Sequence, residues 1–154
     1  MVPHALGMNK IRIALEKSNQ IKIAEWWSEN YIRYSPLERR NGFTFNKIPD
    51  AIFWRERNDG TRQKFFLEYE RSLKNRARYM ELFESYAKRE DVINKNVIYI
   101  CNNEVIQKEL LKTESLMLQS MKLIDYHFQF IALDKFFAQY LPSKSVEPEL
   151  SKVG

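Results

Sequence analysis

Ile48 to Arg57 reads IPDAIFWRER, Asn58-Asp59-Gly60 follows, and Gln63 to Ser72 reads QKFFLEYERS. Asp-Gly between two runs rich in apolar and aromatic residues is hairpin chemistry, because the tight turn needs a residue that accepts positive φ. The two runs therefore predict paired antiparallel strands. Side chains alternate along a strand, so Asp50, Ile52 and Trp54 share one face, and Phe66, Glu68 and Glu70 share a face of the returning strand. A short hairpin can bring Asp50 close to Glu68 across the ladder. Phe65, Phe66 and Leu67 run consecutively, which predicts a strand buried on both faces. A buried carboxylate is costly without a partner or a cation. Three that converge repel one another unless a divalent metal or a basic group neutralises them. Mg²⁺ suits such a set, being a hard cation that takes carboxylate oxygens and fills its other positions with water and phosphate.

Working outward, Lys74 to Arg89 has Ala77, Met80, Phe83 and Ala87 at helical spacing, with Tyr79, Leu82 and Tyr86 beside them. Asn96 to Cys101 (NVIYIC) is a short apolar run of the kind found in central parallel strands. A helix is predicted from Glu104 to Ser120, a last strand from Tyr126 to Leu133, and a short final helix holding Phe136, Phe137 and Tyr140. Upstream, Ala5 to Lys17 places Met8, Ile11 and Leu15 on one helical face, with Leu6 and Ala14 near it. Ile21 and Ile23 alternate with polar neighbours, Trp26 to Tyr34 fits either strand or helix, and Phe43 and Phe45 alternate in a short extended segment. Pro36 ends whatever precedes it. A hairpin followed by β-α-β crossovers makes an α/β fold, a mixed β-sheet with flanking helices. Residues 1–141 read as one domain, and 142–154 as a flexible C-terminal tail.

The 154-residue length fits that single domain, and 44% apolar with 29% charged residues excludes wholesale disorder. Cys101 stands alone, so neither an internal disulfide nor a cysteine-based zinc site is available. The reading is cytoplasmic: the first residues lack a charged stretch followed by an apolar run, and no 18-residue apolar stretch predicts a membrane span. The net charge of +5 permits an anionic partner. Arg33, Arg39 and Arg40 cluster in one stretch, and Arg71, Lys74, Arg76 and Arg78 in another. Each cluster alone reads as solvated charge. Flanking the acidic residues, they become candidates for phosphate contact, with Arg39, Arg40, Arg71, Lys74, Arg76 and Arg78 as the DNA-binding set.

Pro49-Asp50, seventeen intervening residues, then Glu68-Tyr69-Glu70 resembles the PD-(D/E)XK nuclease motif, and the order of elements is similar to that superfamily's restriction-endonuclease-like αβββαβ core. The narrower resemblance is to the replication-relaxation family and the MobC-type plasmid relaxases. It is carried by His4 to Asn9 (HALGMN), Trp27-Ser28-Glu29, Pro49-Asp50-Ala51, Phe66 to Arg71 (FLEYER) and the basic helix after them, and covers roughly residues 4–100. Members usually carry a winged-helix DNA-binding domain ahead of this region.

The resemblance implies a metal-dependent DNA endonuclease or nickase acting in plasmid mobilisation or replication. Its partners would be DNA and relaxosome or replication proteins, with no membrane. In that pattern Asp50 and Glu68 hold Mg²⁺ or Mn²⁺. Glu70 stands where Lys is usual and would orient or deprotonate the attacking water. An upstream glutamate often joins the set; Glu29, with twenty residues between it and Asp50, is the candidate, and Glu25 the weaker one. Lys74 or Arg71 would stabilise charge in the transition state. Glu70 in place of Lys equally supports a second reading, a catalytically inactive DNA-binding accessory protein. His4 and His127 look isolated, Trp26, Trp27, Tyr69 and Tyr79 read as core, and Cys101 has no neighbouring His to activate it.

Overall fold

The computed structural model describes residues 4–34, 48–87, 95–120 and 126–140. The segment with Phe43 and Phe45, the cations Arg39 and Arg40, and the tail 142–154 lie outside the described residues. In chain order the elements are α1 (His4–Lys17), β1 (Lys22–Ser28), α2 (Glu29–Tyr34), β2 (Ala51–Glu56), β3 (Arg62–Glu70), α3 (Arg76–Ala87), β4 (Lys95–Cys101), α4 (Glu104–Ser120), β5 (Tyr126–Ala132) and α5 (Leu133–Tyr140). The strands form one mixed sheet of order β1-β2-β3-β4-β5. β1, β2 and β3 are mutually antiparallel, and β3, β4 and β5 run parallel. The chain is thus α/β with helices flanking a mixed sheet.

The predicted hairpin forms. Ala51 pairs with Leu67 at one end and Glu56 with Arg62 at the other. Its turn is closed by the Gly60 N–H bond to the Arg57 carbonyl at 3.0 Å, with Gly60 at φ +84°. That left-handed conformation is the reason glycine stands there. Asp59 Oδ1 accepts the Thr61 N–H at 2.9 Å and so stiffens the return.

Trp26 to Tyr34, which fits either element, uses both. The strand runs to Ser28, and the helix starts at Glu29, where Ser28 Oγ accepts the Tyr31 N–H at 3.4 Å. Asn75 caps α3 through the Arg78 N–H at 2.9 Å, and Asn103 caps α4 through the Ile106 N–H at 3.0 Å.

Both parallel crossovers put their helices on one face. There Tyr79, Leu82, Phe83 and Tyr86 of α3 and Ile106, Leu110 and Met117 of α4 pack on Ile52, Phe66, Val97, Tyr99 and Phe130. On the opposite face Ile11, Ala14 and Leu15 of α1 and Phe136 of α5 pack on Ala51, Phe53, Phe65, Leu67, Tyr69 and Ile100. The α3 stripe is rotated from the one expected. Met80 is exposed and Ala77 faces out, while 79, 82, 83 and 86, at i, i+3, i+4 and i+7, make the buried face. In β3 every residue from Phe65 to Glu70 is buried, as its position between two covered faces requires.

Candidate functional site

The carboxyl end of β3 and the residue entering β2 beside it carry three buried acids. Asp50, Glu68 and Glu70 are 7%, 2% and 4% exposed. Because Ala51 pairs with Leu67, the ladder continued by one residue sets Asp50 beside Glu68. The period of two turns Glu68 and Glu70 to the α3 side and Tyr69 to the α1 side. Partners from distant parts of the chain meet each carboxylate. Asp50 Oδ2 accepts the Tyr69 backbone N–H at 2.7 Å, and Oδ1 lies 3.3 Å from His4 Nε2. Tyr86 donates its hydroxyl to Glu68 Oε1 at 2.5 Å. Lys74, in the loop four residues further along the chain, pairs with Glu70 as a salt bridge. The Lys74 backbone N–H in turn donates to the Tyr79 hydroxyl at 2.9 Å, which fixes the loop leading into α3.

Tyr99 of β4 lies level with Glu68 in the parallel ladder and is 1% exposed. Its hydroxyl is buried with no hydrogen-bond partner. Burial, with the charges of Glu68 and Glu70 behind it, holds the Tyr99 phenol well above its ordinary range, and burial and Glu68 do the same for Tyr86. Both are therefore neutral hydroxyls that can donate. Burial also pushes the Cys101 thiol up to about 12, with Glu70 adding to the effect, so Cys101 is an unreactive core residue.

Beside these carboxylates a cavity of about 730 Å³ opens on the α1 and α5 side. His4, Lys10, Asp50, Glu70, Arg71 and Lys74 supply its charge, and Leu133 and Phe137 of α5 supply an apolar wall. His4 also stacks on Tyr69, with ring centroids 5.6 Å apart at 24°. α1 sits so close here that a Cβ on Gly7 would fall 2.4 Å from Tyr69 Cε2. Glycine is needed for that approach.

Of the residues singled out from sequence, Asp50, Glu68 and Glu70 are buried at one end of the sheet, and Asp50, Glu70, Arg71 and Lys74 line the cavity there. Glu29 follows Ser28, the partner of Ala51, so its backbone is at this end of the sheet. Its carboxylate, though, is 42% exposed and bonds Arg33 at 3.0 Å. Glu25 lies further along β1, opposite Trp54, where it accepts the Trp27 indole N–H at 2.8 Å. Arg76 is committed to Glu109 of α4 at 2.6 Å, and Arg78 to Glu81 at 3.2 Å. Those bonds brace α3 and do not face the cavity.

His4 is not isolated, as its place in the sequence suggested. The fold brings it to Asp50 across 46 positions of chain. Tyr86 and Tyr99 were also missed as site residues. Their apolar surroundings in sequence mark them as core, and only the fold shows that the Tyr86 hydroxyl bonds Glu68 while the Tyr99 hydroxyl is buried without a partner.

The donor chemistry suits a hard divalent cation, since all three side chains offer carboxylate oxygens and the Tyr99 hydroxyl beside them lacks a partner. With their present partners the acids are not gathered as a donor set: among the described residues no three His, Cys, Asp or Glu side chains are grouped to hold a metal. Comparison with known protein families, with characterised proteins and with solved structures yields no match. Among the described residues no helix is long and apolar enough to cross a membrane.

Proposed function

We propose that this chain is a divalent-metal-dependent DNA endonuclease or nickase acting on plasmid or mobile-element DNA in mobilisation or replication. The observation that carries the reading is the burial of Asp50, Glu68 and Glu70 at one end of the sheet, where Asp50 and Glu70 line a cavity that Lys10, Arg71 and Lys74 make attractive to phosphate. Residues that only stabilise a fold are seldom three buried acids at one end of a sheet. The restriction-endonuclease-like character of the sheet and the relaxase-like assignment rest on the sequence resemblance.

In this reading Asp50 and Glu68 would hold Mg²⁺ or Mn²⁺. Such a cation would supply charge neutralisation at the scissile phosphate and acidify water. The chain's own groups do the rest. The Tyr69 N–H and His4 hold the Asp50 carboxylate in place. Tyr86 fixes one oxygen of Glu68. Glu70 accepts a proton from water at the site, and Lys74, its ion-pair partner, neutralises charge that develops on phosphate oxygens. Arg71 and Lys10 bind flanking phosphates.

The test is incubation of supercoiled plasmid with the chain and Mg²⁺ or Mn²⁺. Metal-dependent open circles, lost with Asp50→Ala and with Glu68→Ala, are expected. Linear product would instead indicate cutting of both strands. Cleavage that survives both substitutions would remove the site from the reaction.

A second reading has its own support: each of the three acids already bonds a protein group, as in a site that keeps its shape without metal. In that case the chain is a catalytically inactive DNA-binding accessory protein. It would bind DNA with an affinity that falls steeply with salt, and cut none.

A further inference from the structure

Buried hydroxyls are nearly always hydrogen-bonded, because leaving one unpaired costs on the order of 1–3 kcal/mol. Tyr99 is the exception among the described residues. Its ring is held tightly: Phe83 meets it edge-on at 5.5 Å and Phe130 packs at 5.6 Å. The phenol therefore cannot swing out to water. In the parallel ladder it is level with Glu68, on the face where Tyr86 donates to the same glutamate at 2.5 Å. Two tyrosines thus stand behind one carboxylate, one donating and one without a partner. Phenylalanine would pack in the same aromatic cluster without that cost, so the hydroxyl has a use other than packing.

We propose that Tyr99 is a positioning residue of the acidic site. Its hydroxyl donates a hydrogen bond to an oxygen that arrives when Asp50 and Glu68 take up a divalent cation. The inference rests on the metal-dependent reading above and adds to it a residue from β4. Tyr86 holds Glu68 in the unloaded protein, and Tyr99 is held ready for the loaded one.

Tyr99→Phe and Tyr86→Phe should therefore part company. Thermal melting without metal and calorimetric titration with Mn²⁺ alone read the difference. Without metal, Tyr99→Phe is expected to melt at or above the wild-type temperature, and Tyr86→Phe below it, since only the second removes an existing bond. With Mn²⁺, Tyr99→Phe is expected to bind about tenfold more weakly, the usual size of one hydrogen bond in a charged setting. Equal Mn²⁺ affinity in wild type and Tyr99→Phe would overturn the inference while leaving the metal site standing. A metal-free melting temperature lowered as far as in Tyr86→Phe would also overturn it, by showing the hydroxyl already bonded. No Mn²⁺ binding by the wild type would overturn the metal-dependent reading itself, and this inference with it.

Discussion

The β2–β3 hairpin carries acids at both ends, and the two ends treat them in opposite ways. At the turn, Asp59 accepts bonds from the Thr61 N–H at 2.9 Å and the Thr61 hydroxyl at 2.6 Å. Glu56 on the adjacent strand lies 2.7 Å from Lys22. Asp59 is exposed and Glu56 half-buried, and these partners hold both carboxyls below the usual carboxylate range. At the other end Asp50, Glu68 and Glu70 are buried, and their partners come from α1, α3 and the loop before α3. The turn acids meet partners that are neighbours in sequence or across one ladder. The buried acids depend on the assembled fold. One residue type is thus cheap and replaceable at one end, and costly and shape-dependent at the other.

The sharpest way to break that contrast is to remove acids at each end and assay plasmid nicking. Asp50→Ala and Glu68→Ala are expected to lower metal-dependent nicking on the order of a hundredfold or more, since the loss of groups that merely orient metal ligands already costs 10–100-fold. Asp59→Ala and Glu56→Ala should leave it unchanged. Equal losses at both ends would dissolve the distinction.

Stability sharpens the contrast further. Gly7→Ala drives a methyl into Tyr69, and the ring must move away from His4 to admit it. We expect a cost of about 1–3 kcal/mol, read as a melting point lower by several degrees. An unchanged melting point would show that α1 can shift without penalty.

Lys74→Met leaves Glu70 buried without its cation. Lys74 is about one-third exposed, so the expected cost is at the lower end for such pairs, about 1–2 kcal/mol. Adding Glu70→Gln should recover most of it in a double-mutant cycle. Additive losses would mean that the two groups do not depend on one another.

The smallest effect belongs to the turn and has a definite sign. Because the folded state depresses the carboxyls of Asp59 and Glu56, their contribution is present above the unfolded carboxylate range and is lost as pH falls through and below it. Chemical denaturation from pH 7 to pH 2 should show a slight advantage of wild type over Asp59→Ala at neutral pH that closes in acid. An advantage that grew in acid would contradict the assignment.

How much of this was legible depends on range. The hairpin, the parallel strand at Asn96–Cys101 and the helix at Glu104 rest on neighbours a few residues apart: a positive-φ glycine, an apolar run, a capping asparagine. Asp50 and Glu68 were also readable, because strand alternation and one turn decide which faces meet. The α3 stripe was read one notch off, since Met80 and Phe83 fit the period as well as Tyr79 and Phe83 do, and only contact with the sheet chooses between them. Glu29 sits at the expected end of the sheet, but its carboxylate pairs within its own helix at i+4, a local contact that spacing to Asp50 does not reveal.

The sequence by itself determined the mixed sheet with its flanking helices, and the carboxylates that share a face of the hairpin, because backbone periodicity and turn chemistry act within a few residues. Only the tertiary structure decided what stands against those carboxylates. His4 approaches Asp50 because Gly7 lets α1 lie against Tyr69. Tyr86 meets Glu68 because the crossover to parallel β4 lays α3 over this face of the sheet. The Tyr99 hydroxyl is buried unpaired because β4 enters beside β3 in register with Glu68. These are contacts between segments far apart in the chain, and no local pattern encodes the distance at which such side chains stop.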